Sequence, residues 1–140
     1  MTEQLSAALA AEEAAIYAYG MVGVQLTGEG DLAEARAAEA AHRARRDALI
    51  SRMSALKASA APAPAGYELP FEVTDRAAAL KLAIQVEDGV AQAWRAVLPA
   101  SEGADRAAAL NALIDSAVRA TRWRRLAEVT PATMAWPGKA

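Results

Sequence analysis

The segment that decides the fold is residues 61–70, which reads Ala-Pro-Ala-Pro-Ala-Gly-Tyr-Glu-Leu-Pro. Because proline lacks a backbone N–H and fixes φ, three prolines in so short a segment exclude a helix interior. The flanking regions are rich in alanine, which supplies 40 of the 140 residues and has the highest helix propensity. Aromatic residues make up only 5% of the chain. The sequence therefore predicts an all-α protein with helices on both sides of this segment.

Glycine and proline divide the flanking regions into four predicted helices, at about residues 2–27, 31–59, 75–98 and 102–127. Gly28 and Gly30 end the first helix, and Asp31 is the predicted N-cap of the second. The connections within each pair of helices are short, so each pair is predicted to form an antiparallel hairpin. Residues 1–140 are predicted to form a single domain, in which residues 131–140 are an irregular C-terminal strap.

The connection between the second and third helices is long enough to cross the whole bundle. Its roughly 15 residues reach ~50 Å when extended at about 3.3 Å per residue. A 25-residue helix is only ~38 Å long at about 1.5 Å per residue. Helices two and three can therefore run in parallel. One such long crossover is typical of ferritin-like four-helix bundles, which is the fold that we predict.

Three predicted helices carry a carboxylate in the middle of an apolar stripe, namely Glu12, Glu39 and Glu87. Isolated buried charges are costly, so these glutamates need a common explanation, which can be a metal, another cation or shared protons. Glu39 and His42 have the Glu-x-x-His spacing of dinuclear carboxylate sites, in which two other helices supply one glutamate each. The candidate metal ligands are therefore Glu12, Glu39, His42 and Glu87, a set suited to iron, manganese or zinc.

The second half of such a site is degenerate in this sequence. Asp115 occupies the matching position on helix four, and Val118 stands where the second histidine would be. The predicted buried stripe of this helix consists of Leu110, Ile114, Ala117 and Thr121, which leaves Asp115 outside it. Arg46 lies one turn beyond His42 and stays charged when buried. We therefore expect Arg46 and His42 to neutralise the glutamates, with no cofactor, and we keep bound iron or manganese as the alternative.

Four segments give the chain a recognisable pattern: Leu9–Gly20, Ala41–Leu49, Tyr67–Asp75 and Ala135–Gly138. In these segments, which span nearly the whole chain, the sequence resembles a bacterial ferritin-like family with no assigned function. The resemblance implies a ferritin-like four-helix bundle, often dimeric, and implies no reaction. Catalytic ferritin-like enzymes carry two Glu-x-x-His motifs. Because this chain has only one, the comparison argues against oxygen-activating di-iron chemistry.

Charge and composition limit the partners of the protein. A formal net charge of −2 gives no general attraction to nucleic acid or to an anionic membrane. Arginines concentrate locally in Arg43–Arg46 and Arg119–Arg125, but the interleaved aromatic residues that single-strand recognition requires are scarce. The absence of cysteine excludes thiolate metal sites. No apolar run approaches the ~20 residues of a membrane span.

These features lead to one functional prediction and one alternative. The protein is expected to be an uncharacterised, non-catalytic ferritin-like bundle with a degenerate di-metal site, acting in the cytoplasm as a homodimeric binding or scaffold protein. The alternative is an iron- or manganese-binding oxidoreductase that uses Glu12, Glu39, His42 and Glu87. Among the tryptophans, Trp94 is predicted to be core, whereas Trp123 and Trp136 are predicted to pack the C-terminal strap.

Overall fold

The computed structural model describes residues 1–140 and contains four α-helices and no strand. A short 3-10 helix, Leu98–Ala100, joins the last two α-helices. The predicted all-α chain with four helices is confirmed, and every helix boundary lies within four residues of its predicted position. The four helices are α1 (Thr2–Gln25), α2 (Glu29–Ala55), α3 (Arg76–Val97) and α4 (Gly103–Leu126).

Helix α2 ends earlier than the sequence predicts because Lys57 adopts a left-handed conformation, with a φ of 57°. The Lys57 amide donates to the Ser54 carbonyl at 2.9 Å, and the Ala58 amide donates to the Met53 carbonyl at 2.8 Å. These bonds satisfy carbonyl groups of the last turn, a role that usually requires glycine in the left-handed position. Glu128 repeats this conformation after α4, with a φ of 58°. Neither of these helix ends carries a glycine, so the sequence contains no signal for their exact positions.

The N-termini of α2 and α3 are fixed in different ways. Asp75 caps α3, where its carboxylate accepts a hydrogen bond of 2.8 Å from the Ala78 amide. The N-cap of α2 is Gly28 rather than Asp31, so the predicted cap is wrong. Asp31 instead lies in the first turn and accepts a hydrogen bond of 2.7 Å from Arg76 Nε. This ion pair joins the beginning of α2 to the beginning of α3.

Contacts between α2 and α3 fix the relative direction of these helices. The Asp31–Arg76 pair near their N-termini and the His42–Glu87 pair near their centres both join residues 45 positions apart. Residue numbers therefore increase together along both helices, so α2 and α3 run in the same direction. Residues 56–75 connect the C-terminal end of one to the N-terminal end of the other without forming a helix.

The interior consists of two apolar clusters with a polar layer between them. One cluster includes Leu5, Leu9, Leu49, Met53, Trp94 and Val97, and the other includes Tyr19, Val22, Leu26, Leu80, Leu82 and Trp123. Side chains that are fully buried between these clusters include Glu12, His42, Glu87 and Ser116. The polar layer therefore lies at mid-depth in the bundle. No helix in the structure is both long enough and apolar enough to cross a membrane.

Helix α4 turns a different face inward from the one that its large aliphatic residues predict. Leu110 and Ile114 are 45% and 51% exposed, so the predicted stripe is wrong. Small residues supply most of the buried face, because they allow α4 to approach its neighbours closely. That face consists of Ala109, Ala112, Leu113, Ser116, Ala120 and Trp123, together with Arg119 and Arg124.

The C-terminal strap, residues 131–140, lies against α3 through a turn that begins at Trp136. The Lys139 amide donates to the Trp136 carbonyl at 3.1 Å. Gly138 supplies the left-handed residue of this turn, with a φ of 74°. A Cβ on Gly138 would lie 2.6 Å from the Ala91 carbonyl oxygen, so only glycine fits against the helix there. Trp136 is 66% exposed, and its predicted packing role is therefore wrong.

Candidate functional site

Three of the four candidate ligands meet in the polar layer, because α1, α2 and α3 each direct one polar side chain inward at the same depth. His42 Nδ1 lies 2.5 Å from Glu12 Oε2, and His42 Nε2 lies 2.9 Å from Glu87 Oε1. All three side chains are fully buried. Both ring nitrogens of the only histidine are therefore engaged by carboxylates from two different helices.

Aromatic side chains complete the hydrogen bonding of these two carboxylates. Trp94 Nε1 donates to Glu12 Oε1 at 2.6 Å, and the Tyr19 hydroxyl donates to Glu87 Oε1 at 2.6 Å. Trp123 Nε1 in turn donates to the Tyr19 hydroxyl at 2.8 Å. Trp123 therefore belongs to the core rather than to the strap, which corrects the sequence prediction. The need of a buried indole or phenol for a polar partner is the sequence signal that could have identified these residues.

Two arginines border the layer on the side where α2 faces α4. Arg45 Nη1 lies 3.7 Å from Glu12 Oε1, and Arg119 Nη1 lies 3.5 Å from Glu87 Oε1. Both arginines also form ion pairs with Asp115, in which Arg119 Nη1 is 3.0 Å from Asp115 Oδ2. The Arg119 side chain is only 8% exposed. Asp115, which the sequence aligns with the second half of the predicted site, thus links the two arginines.

Glu39 and Arg46 do not reach the polar layer. Glu39 is partly exposed and lies 3.2 Å from Arg43 on the same helix. Arg46 pairs with Asp47 at 3.0 Å, so the prediction that Arg46 neutralises the buried glutamates is wrong. The predicted buried stripe of α2 differs from the observed one at these two positions. Glu39 and Arg46 each lie one residue away from a side chain that faces inward. The buried residues of α2 are Ala35, Ala38, His42, Leu49 and Met53.

The surroundings of His42 keep its ring protonated at neutral pH. Burial alone would lower the pKa of His42, but the hydrogen bonds to Glu12 and Glu87 outweigh burial and raise the pKa from 6.5 to about 9. Burial alone would raise the pKa of Glu87, but the His42 hydrogen bond and the charges of His42 and Arg119 lower it overall. Burial and the Glu87 charge raise the pKa of Tyr19. The layer therefore pairs an imidazolium with a carboxylate on each side.

The carboxylates of the polar layer already have cationic partners within the protein. The formal charges of the layer balance, because it contains as many carboxylates (Glu12, Glu87 and Asp115) as cationic side chains (His42, Arg45 and Arg119). No group of three or more aspartate, glutamate and histidine side chains has an arrangement that could hold a metal ion. Glu87 Oε2 is the only carboxylate oxygen of the layer that is buried without a hydrogen-bond partner. A dication would add charge to a balanced layer and compete with an imidazolium for the same oxygens.

Two comparisons with known proteins give a match over most of the chain. The chain is similar to a crystal structure of a conserved hypothetical protein from Mycobacterium tuberculosis, with 44% identity and a TM-score of 0.85. The match covers 89% of this chain and 95% of that chain. No protein of curated function matches. A family model described as a domain of unknown function, DUF4439, matches residues 4–140, a range that includes the whole polar layer. The chain therefore belongs to the DUF4439 family.

Proposed function

We propose that this protein is a non-catalytic ferritin-like bundle that acts as a homodimeric binding or scaffold protein without a cofactor. In this proposal, a degenerate di-metal site has become a structural ion-pair layer. The observation that carries it is the position of His42, whose two ring nitrogens lie 2.5 Å and 2.9 Å from Glu12 and Glu87. A histidine ligand needs one of these nitrogens free for the metal.

The ferritin-like assignment is supported by the course of the chain between α2 and α3. These helices run in the same direction, so the connection over residues 56–75 has to return along the bundle. The connection contacts α1, where the rings of Tyr67 and Tyr17 lie 5.2 Å apart. One long crossover between two antiparallel hairpins is the arrangement of ferritin-like bundles.

Metal content tests the cofactor-free part of this proposal. We expect protein purified from iron- and manganese-supplemented medium to contain substoichiometric metal by elemental analysis. Glu39→Ala separates the two functions: Glu39 lies outside the layer and pairs with Arg43, so its loss should change metal content only if the alternative ligand set binds a metal. Stoichiometric iron or manganese that disappears in Glu12→Gln would overturn the proposal. That result would favour the alternative, an oxidoreductase that uses Glu12, Glu39, His42 and Glu87.

The homodimer is proposed from the outer face of α4. Leu110, Ile114 and Val118 follow one another at four-residue intervals and are 45%, 51% and 45% exposed. Burying such side chains against a second copy removes apolar surface from water. Sedimentation velocity at micromolar concentration should show a dimer that Ile114→Arg dissociates and that Ala40→Arg, on an exposed part of α2, leaves intact. A monomeric wild type would contradict the proposal. Cell fractionation tests the proposed cytoplasmic location of the protein.

A further inference from the structure

Ion pairs bridge the space between helices α2 and α4. Arg45 pairs with Asp115 near the polar layer. Towards one end of the bundle, Arg52 Nε and Nη2 donate to the two carboxylate oxygens of Asp105 at 2.7 Å and 2.9 Å. The two arginines are seven residues apart on α2, which corresponds to about 10 Å along a helix. The ion pairs therefore close both ends of a short slot.

Small side chains leave this slot unfilled. The facing positions of α2 and α4 between the ion pairs include Ala48, Ala108 and Ala112, and the resulting cleft has a volume of about 420 Å³. Leu5 of α1 and Trp94 of α3 also line it. The cleft is therefore open to solvent on one side and reaches the interior of the bundle on the other. Its volume is within the range of small-molecule sites.

The polar layer supports the lining of the cleft. Trp94 donates its indole N–H to Glu12 at 2.6 Å, which fixes the orientation of the ring. Arg45 lies between Asp115 and Glu12 and is held by both carboxylates. A rigid, preformed lining reduces the entropic cost of ordering side chains when a ligand binds.

The charges around the cleft indicate what kind of ligand it takes. Arg45 and Arg52 are already paired with aspartates. A charged ligand could therefore form an ion pair with the lining only by breaking one of these existing pairs. The remaining polar side chain of the lining is the exposed amide of Asn111. The slot between the ion pairs is only about 10 Å long, which suits a compact ligand better than an extended protein segment. These observations favour a compact, uncharged ligand.

We propose that the cleft between α2 and α4 binds a neutral, predominantly apolar small molecule that carries one hydrogen-bonding group, placed opposite Asn111. This inference rests on the binding role proposed above and specifies its ligand class. It does not depend on the outer face of α4 or on the oligomeric state. Metal content and sedimentation therefore test the proposed function separately from the ligand class.

The test uses N-phenyl-1-naphthylamine, a neutral apolar probe with a single N–H group and a fluorescence that rises in apolar surroundings. We expect saturable binding with one probe per chain. Ala48→Phe and Ala108→Phe, which fill the cleft from its exposed edges, should weaken binding at least ~tenfold, or about 1.4 kcal/mol. Ala40→Phe, on an exposed part of α2 that does not line the cleft, is the matched control and should bind as the wild type does.

Two further measurements keep the proposal falsifiable if a phenylalanine variant fails to fold. The anionic analogue 8-anilinonaphthalene-1-sulfonate should bind the wild type at least ~tenfold more weakly than the neutral probe. In nitrogen-15-labelled protein, the neutral probe should shift the indole N–H resonance of Trp94 and leave that of the exposed Trp136 unchanged. Absence of saturable binding, an unmoved Trp94 resonance, or equal affinity for both probes would overturn the proposal. Folded cleft variants that retain wild-type affinity would do the same.

Discussion

Replacing His42 with glutamine should destabilise the protein in a pH-dependent way. The substitution removes the positive charge between Glu12 and Glu87 while keeping a polar side chain of similar size. Each pKa unit corresponds to about 1.4 kcal/mol, so the rise in the His42 pKa from 6.5 to about 9 corresponds to about 3 kcal/mol of folding free energy. This is a large share of the stability of a small domain.

The sign of the pH dependence follows from the direction of the shift. The folded protein holds the His42 proton more tightly than the unfolded chain does, because the pKa is higher in the folded state. The stabilisation is therefore fully present below pH 6.5, declines as the pH rises towards 9, and is absent above that value. The free energy of unfolding of His42→Gln lacks this component at every pH. The difference between wild type and variant should thus shrink by about 3 kcal/mol over this interval.

Urea unfolding followed by circular dichroism measures this difference directly. Both proteins are unfolded at several pH values from about 6 to 9.5, so that titrations of other groups cancel in the comparison. Glu39→Gln is the control, since Glu39 lies outside the polar layer and should not alter the pH dependence. A difference between wild type and His42→Gln that stays constant over the whole range would refute the assignment of a buried imidazolium.

Three further predictions concern residues other than His42. Arg119→Met should lower the free energy of unfolding by about 3–5 kcal/mol, because it removes one of the three cations that balance the carboxylates of the layer. Arg46→Ala should change it by less than ~0.5 kcal/mol. Equal effects in urea unfolding would contradict the observed partners. Gly138→Ala should release the strap from α3, since the new Cβ would lie 2.6 Å from the Ala91 carbonyl oxygen, and hydrogen exchange should then increase in residues 131–140. Lys57→Gly should raise the free energy of unfolding by ~0.5–1 kcal/mol by removing the strain of a left-handed lysine, and an unchanged or lower melting temperature would argue against that strain.

The polar layer also gives this alanine-rich bundle a defined register. Small, similar helix faces can slide or rotate past one another at little cost, because many alternative packings bury comparable area. Displacing any one helix would leave members of the layer unpaired, since Glu12, His42, Glu87 and Arg119 come from four different helices. An unpaired buried charge costs several kcal/mol. We therefore expect the ion-pair layer to favour this arrangement of the helices over shifted ones.

The helix content and its punctuation could be predicted from the sequence because they depend on local interactions. Proline in residues 61–70 interrupts the helices whatever the rest of the chain does. Asp75 caps α3 through a local hydrogen bond, because its partner is the amide of Ala78, three residues along the chain. Glu12, His42 and Glu87 were also identifiable, because a charged residue within an apolar stripe is conspicuous wherever the stripe packs.

The choice of partners was decided only by the tertiary structure. Successive residues of a helix point about 100° apart, so a small error in the buried face of α2 favoured Arg46 over Arg45 and placed Glu39 in the core. On α4 the large aliphatic residues Leu110 and Ile114 lie outside, because alanine lets helices approach closely and carries little directional signal. The cleft exists for a related reason. An alanine that faces a close neighbour makes a packed core, whereas an alanine that faces a more distant helix leaves a cavity.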